Sequence, residues 1–331
     1  MIQPGLITVG VPVYRGENFI AETLRCIQAQ TWTNLEVLIS IDGEDPASWE
    51  ACRPFLADPR VTITQRGVRL DWAGNLNWLI YHATGEYFCY QQQDDLIEAD
   101  YLEKLGQSLA ANPAAAVAYS DVKWFGLHVG HAENPPLTGG PVDRLLMHLE
   151  HLVWIPTRGL VRRSLLERAG GLRVTEFRSA LEEQVWLAKL ARLGPFVRVP
   201  EPLYAKRYHE GAIHGHWHQW DAERRMNAWT VCFAGLVAAM VPAGRTPRER
   251  EMLFAAILRR FLVNPQGRWA LFDTRELTLE QRRALAEHLL HRIAAEGEID
   301  LTVWVGAGYR QILDTVLEEI PASEAAGSPA R

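Results

Sequence analysis

Two pairs of adjacent carboxylates are the residues best suited to chemistry. Asp94 and Asp95 close the run YFCYQQQDDL (87–96), whose apolar and aromatic residues favour a strand. At a strand's C-terminal end in an open α/β sheet, acids stand where ligands bind. Two of them repel unless a cation, a proton or a hydrogen-bond donor offsets them. A solvated turn near a helix N-terminus would also tolerate both. Glu182 and Glu183 head a helix-like stretch at 180–190, with Leu181, Val185 and Leu190 near one face. That pair equally suits the positive end of a helix dipole. His209 follows a strand-like segment, and His214, His216 and His218 alternate beyond it, which in an extended chain would place three imidazoles on one side. No cysteine or carboxylate lies at a suitable spacing for zinc, so a surface loop is the simpler expectation there.

The elements that must position these groups follow from periodicity. The β-branched run LITVGVPV (6–13) reads as a strand, and 18–29 as a helix through Phe19, Ile20, Leu24 and Ile27. LEVLISI (35–41) is a second strand, 46–56 a short helix started by Asp45 and Pro46, 61–64 a third strand and 72–82 a third helix. This βαβαβα alternation ahead of the Tyr87 strand implies a mostly parallel sheet with right-handed crossovers. Tyr14 and Glu17, then Asp42, then Arg66 and Arg69, then Asp94 and Asp95 would all project from one sheet edge. Farther on, 98–111 reads as a helix and 114–119 as a strand. A Gly/Pro-rich loop (126–141), a helix at 163–169 and short strands at 197–199 and 203–207 follow. From Trp217 the pattern becomes helical, over 220–240, 247–262, 279–295 and 305–319. The expected organisation is one α/β domain over 1–212, a helical extension over 213–320 and a disordered tail over 321–331.

Composition narrows the function. The 331 residues are 48% hydrophobic and 22% charged, as in a globular protein with a sizeable core. A net charge of −6 argues against nucleic acid as a partner. Cys26, Cys52, Cys89 and Cys232 form no CxxC pair and read as reduced core residues of a cytoplasmic protein. The N-terminal segment lacks the pattern of a signal peptide. The longest uncharged stretch, 228–244, falls just short of a membrane span and contains Pro242. A buried helix is the expectation, with peripheral contact at the inner face of a membrane as the alternative. No GxGxxG follows the first strand and no GxxxxGK[ST] occurs, which disfavours dinucleotide dehydrogenases and P-loop NTPases.

The segments VGVPVYRGENFIAETLRCIQAQTWTNLEVLISIDGED and NLNWLIYHATGEYFCYQQQDDLIEADYLEKL resemble the nucleotide-sugar half of family-two glycosyltransferases with the GT-A fold. The resemblance extends over about 6–210 and implies a donor site. By its pattern Tyr14 and Asp42 would hold the nucleoside, with Pro12 and Glu17 beside them in the donor site, and Asn77 matches a family asparagine. Arg66 and Arg69 would neutralise the diphosphate through charge-assisted hydrogen bonds or stay solvated. The family's aspartate-x-aspartate motif, which holds a divalent cation, falls on Gln92, Gln93 and Asp94. Its first carboxylate is thus a neutral amide here. Asp94 is the implied Mn²⁺ or Mg²⁺ ligand, Asp95 a second ligand or an acceptor contact, and His209 a partner of the metal or the diphosphate. Trp154 lies in the region that forms the family's acceptor floor, where it would stack on a sugar or fill core. The family places its catalytic base in an acidic pair at the head of the later helix, here Glu182-Glu183. Position before Trp186 favours Glu183.

The expectation is a metal-dependent, inverting transferase that moves a sugar from a nucleoside diphosphate to an acceptor hydroxyl. The acceptor would be a glycan, a lipid-linked glycan or a small molecule, and the helical extension could join two copies. Two alternatives are a sugar nucleotidyltransferase and a non-catalytic binder. The first wants a basic Gly-rich loop, for which VPVYRGEN offers only Arg15 and Gly16, and the second is suggested by Gln92.

Overall fold

A computed structural model describes residues 2–210, 217, 219–264 and 271–320. His214, His216, His218 and the 321–331 tail lie outside them. The chain divides into two compact units, one of residues 1–139 with 153–212 and the other of 140–152 with 213–331. Residues 140–152 therefore cluster with the helical unit, although they fall within the stretch expected to form the α/β domain.

The first unit is built on one sheet. Strands β1 (Gln3–Val13), β2 (Leu35–Ile41), β3 (Val61–Gln65) and β4 (Gly85–Tyr90) are linked through helices α1 (Ile20–Gln28), α2 (Pro46–Cys52) and α3 (Asp71–His82). They run parallel in the order β3-β2-β1-β4. Strand β1 is buried from Leu6 to Val11, as a central strand covered on both faces must be. Beyond β4 the sheet becomes mixed. After β5 (Leu96–Ile97), α4 (Tyr101–Ala111), β6 (Val117–Gly126) and β7 (Gly130–Ala132) comes α5 (Pro141–His151). Then follow β8 (Leu160–Arg162), α6 (Arg163–Ala169), α7 (Glu182–Leu193) and β9 (Phe196–Tyr208). The order continues β4-β8-β6-β9-β5, with β8 antiparallel to β4 and β6, and β9 parallel to β6. The mostly parallel sheet expected from sequence is parallel throughout its first four strands and mixed beyond them, where only β6 and β9 pair in parallel among the described residues.

Three local departures have physical causes. The two short strands expected around 197–207 are one strand, because the prolines at 200 and 202 sit in a bulge where the register jumps from Ser120↔Val199 to Val122↔Tyr204. Helix α5 occupies a stretch that had no assigned element: Pro141 starts it, the Gly140 N–H donates to the Asp143 carboxylate (2.9 Å), and Leu145 and Leu149 are buried one turn apart. The last helix, expected over 305–319, starts only at Tyr309 (Tyr309–Glu319), and a separate short helix, Leu301–Trp304, precedes it, with Gly306 at φ +103° between them.

The second unit packs α5 with the helices Ala222–Met240, Pro247–Leu262, Leu279–Glu296 and Tyr309–Glu319. Ala222–Ala243 is long and apolar enough to cross a membrane, longer than the sequence reading allowed, yet 72% of its most apolar window is buried inside the protein. Trp229, Phe233 and Phe261 stack within this core. Among the described residues no disulfide joins any of the four cysteines.

One glycine fixes the strand that leads out of the site. A Cβ at Gly159 would lie 2.4 Å from the Ala118 carbonyl oxygen and 2.9 Å from Val117. Gly159→Ala is therefore expected to destabilise the protein by about 1–3 kcal/mol through overpacking, read as a lower urea midpoint.

Candidate active site

Both carboxylate pairs lie in the first unit, and within each pair the two acids have different tasks. Asp95 is 1% exposed. Its Oδ2 accepts from the Tyr204 hydroxyl (2.8 Å) and its Oδ1 from the Arg207 backbone N–H (2.8 Å), and Arg158 Nε lies 3.7 Å away. Burial, then the charge of Asp94, raises its pKa, against the pull of Arg158. With the Gln92 amide turned so that both ends are satisfied, its nitrogen donates to Asp95 Oδ2 (2.9 Å) and its oxygen accepts from Arg158 Nη2 (3.0 Å). Asp95 therefore joins β4, β9 and the 3₁₀ turn Ile155–Arg158, and its oxygens are engaged by protein donors rather than open to a cation. Asp95, expected as a second metal ligand or an acceptor contact, and Gln92, expected at the donor, are thus both engaged by other protein groups.

Asp94, by contrast, keeps partial exposure, and its Oδ2 meets His209 Nε2 at 2.8 Å. The imidazole also rests against Phe19 (ring centroids 4.6 Å apart). Arg207 braces this corner: its Nε donates to the Asp94 carbonyl (2.9 Å), its Nη2 to Glu22 (2.5 Å), and its guanidinium lies over Phe125 and Phe19. Among the described residues no cluster of three or more His, Cys, Asp or Glu side chains could enclose a metal.

The acidic pair on α7 divides similarly. Glu182 is fully buried and bound in a fork by Arg173, at 2.9 Å from Nε and 2.8 Å from Nη2. Such a carboxylate holds the helix start, with both oxygens engaged by one guanidinium. Glu183 is partly buried, and among the described residues no other side chain donates to it. Burial pushes its carboxyl up to about 7, with Glu182 adding to the rise and its own backbone N–H, Arg158 and Lys206 opposing it. The chain reaches this helix through left-handed backbone at Arg178 (φ +50°), Ser179 (φ +53°) and Leu181 (φ +62°). Strain of that kind, about 1–3 kcal/mol per residue, is held where the surrounding structure dictates a side chain's position.

A second cluster lies at the tips of β1 to β3. Gln93 straps the loop after β1, its Nε2 donating to the Tyr14 carbonyl (3.0 Å) and its Oε1 accepting from the Tyr14 N–H (2.9 Å). A Cβ on Gly16 would fall 2.5 Å from that same Oε1, so a larger residue there would displace the Gln93 strap. The Arg69 guanidinium stacks 3.9 Å above the Tyr14 ring and donates to its hydroxyl (3.0 Å). Asp42 is buried, accepts from the Leu70 N–H (2.7 Å) and lies 3.8 Å from Arg69; burial raises its pKa. Pro12 pairs with Ser40 in the sheet, Glu17 is exposed on the turn, and Arg66 stacks on Trp78 (4.2 Å) with Nη2 buried and unpaired among the described residues. Asn77 is not part of this cluster. Both ends of its amide bind the Leu172 backbone at 2.8 Å, tying α3 to the segment before α7.

Sequence reasoning missed Arg158, Tyr204, Lys206 and Arg207. Lys206 is 9% exposed, with its Nζ 5.1 Å above the Trp154 ring and 4.8 Å from that of Tyr208. Arg158 lies over the other partner rings, Trp154 (4.9 Å) and Tyr204 (5.6 Å). The available signal was a pair of cations, Lys206-Arg207, directly after the apolar run Leu203-Tyr204-Ala205.

A family model described as Glycosyl transferase family 2 matches residues 8–169. Over that stretch the chain is similar to the family. Over 97% of its length it is 26% identical to the glycosyltransferase GlyA of Streptococcus pneumoniae, and it spans about half of that relative's length (46%). Its GT-A fold is shared with S. aureus TarS 1–349 in complex with UDP-GlcNAc (TM-score 0.63, 15% identity, 94% of this chain and 90% of that one). The mannosyltransferase PcManGT of Pyrobaculum calidifontis, in complex with GDP-Man and Mn²⁺, is also similar (TM-score 0.55, 19% identity, 94% of this chain and 84% of that one). The family 2 match ends at 169, before Glu183, Lys206 and His209.

The two aspartates are separable by stability. Asp95→Ala strands Arg158 in the interior and is expected to cost about 3 kcal/mol. Asp94→Ala removes a partly exposed pair and is expected to cost less than about 1 kcal/mol. Urea denaturation of both variants checks the contrast.

Proposed function

We propose that this chain transfers a sugar from a nucleoside diphosphate to an acceptor hydroxyl by a single displacement with inversion, Glu183 being the base. The observation that carries this reading is the contrast between Glu182, locked by Arg173, and Glu183, which lacks such a partner and whose carboxyl is raised to about 7. A base matched to neutral pH accepts the proton of an attacking hydroxyl efficiently. The acceptor oxygen bonds to the anomeric carbon as its proton passes to Glu183. The bond from that carbon to phosphate breaks, and its electron pair leaves with the nucleoside diphosphate.

The donor class is supported by the sugar nucleotides held by TarS and PcManGT. Tyr14, Asp42 and Arg69 would receive the nucleoside, with Gln93 holding the Tyr14 loop in place. A divalent cation fits Asp94 and His209. A carboxylate oxygen and an imidazole nitrogen, 2.8 Å apart, are donors that Mn²⁺ accepts, and phosphate oxygens and water can complete its shell. Bound there, the ion would supply positive charge against the departing diphosphate. Gln92 does not weigh against the reading, since its amide serves Asp95 and Arg158.

Glu183→Gln is expected to lower kcat by about 10²–10⁴-fold while leaving nucleotide affinity unchanged, measured as nucleoside diphosphate release and by calorimetry. Because the base must be ionised, kcat/KM should fall tenfold per pH unit below about 7 and level off above it, a limb that Glu183→Gln should abolish. UDP or GDP with Mn²⁺ should raise the melting temperature of the wild type and not of Asp94→Ala. A folded wild type unmoved by any nucleotide would sink the proposal.

A further inference from the structure

Alternate residues of β9 face opposite ways, and the site is sorted accordingly. Arg207 and His209 reach Asp94, on the donor side of the reading above. Tyr204, Lys206 and Tyr208 share the other face with Trp154 and Arg158, and Asp95, Asp94 and then Glu183 lie near enough to act on the Lys206 charge. Lys206 has three N–H donors. Among the described residues they meet only aromatic faces, with no hydrogen bond or ion pair to an acceptor. Nor does Asp95 call for this cation, since Tyr204, the Arg207 N–H, Arg158 and Gln92 already surround it. Behind Lys206, the Nε of Arg158 is buried without a hydrogen-bond partner. A buried ammonium in such a place is costly until an anion meets it. Burial first, then Arg158, pulls its pKa down, so its neighbours do not fully compensate the charge.

We propose that Lys206, backed by Arg158 and seated on Trp154 and Tyr208, is an anion subsite on the acceptor side, and that the acceptor carries a phosphate or carboxylate group near the hydroxyl that attacks. The inference rests on the glycosyl-transfer reading, because Glu183 defines that side. A charge-assisted contact there anchors the acceptor, while the aromatic rings offer its sugar an apolar face.

The test uses the full chain saturated with Mg²⁺ and whichever of UDP or GDP stabilises it, so that the donor's phosphate positions are filled. Methyl phosphate and, separately, acetate are then titrated, with saturation-transfer NMR on their methyl protons and methanol as the neutral control. The expected result is a signal from one or both anions and none from methanol, reduced at least fivefold in Lys206→Gln and restored in Lys206→Arg. A phosphate-only or acetate-only response names the group. The inference is overturned if neither anion binds while the nucleotide does, if Lys206→Gln leaves the signal unchanged in a protein that still binds nucleotide, or if the nucleotide displaces the anion, which would place Lys206 on the donor diphosphate. Failure of every nucleotide to bind would overturn the glycosyl-transfer reading itself, and this inference with it.

Discussion

A buried carboxylate, Asp95, is the contact on which the site's geometry depends. Withdrawn from water, it must be met by donors from every side, and those donors come from distant segments: Tyr204 and the Arg207 N–H from β9, Arg158 from the 3₁₀ turn and Gln92 from its own loop. An unpaired charge at this depth would cost several kcal/mol, so the alignment of β4 with β9 is tightly specified. That alignment brings His209 to Asp94 and carries Lys206 towards Glu183. One structural acid thereby positions groups on both sides of the site.

The same division of labour recurs on α7. Glu182 pays for the helix start through its fork with Arg173, and Glu183 is left able to change its protonation state. Adjacent acids are usually equivalent in sequence but not in environment: one residue along a helix turns a side chain by about 100°, enough to exchange a buried pocket for an open cleft. Backbone strain clusters around the same features, at Arg15 after β1, at Asp71 where α3 begins and at Arg178, Ser179 and Leu181 before α7. The rigid parallel half of the sheet supports the first two, and Asn77 and Trp72, which bind the backbone of Leu172 and Arg178, hold the third.

Much of the fold was legible because its signals are local. Strands β1 to β4 are apolar, β-branched or aromatic runs, and the helices between them carry three- and four-residue spacing, so parallel βαβ units follow from the pattern alone. The mixed half was not legible. Strand β9 contains two prolines that read as a break, and only the register jump against β6 shows them to be a bulge within one strand. Helix α5 was hidden by the glycines and prolines ahead of it, although its Pro141 start and the Leu145/Leu149 spacing were present.

For the site, the sequence by itself determined which groups are available: the paired acids at the ends of a strand and the head of a helix, the Tyr14 and Asp42 loops, and His209 within reach of the strand ends. Their types and order along the chain suffice for that, because strand ends in such a sheet converge on one edge. Only the tertiary structure decided which member of each pair is held by protein donors. Asp94 and Asp95 differ through contacts more than 100 residues away, with His209 and with Tyr204 and Arg207. Lys206 acquires its character the same way, from Trp154 and Tyr208 and the exclusion of water around them. Burial and partner geometry are properties of the packed chain, and they set the charge state of every ionisable group.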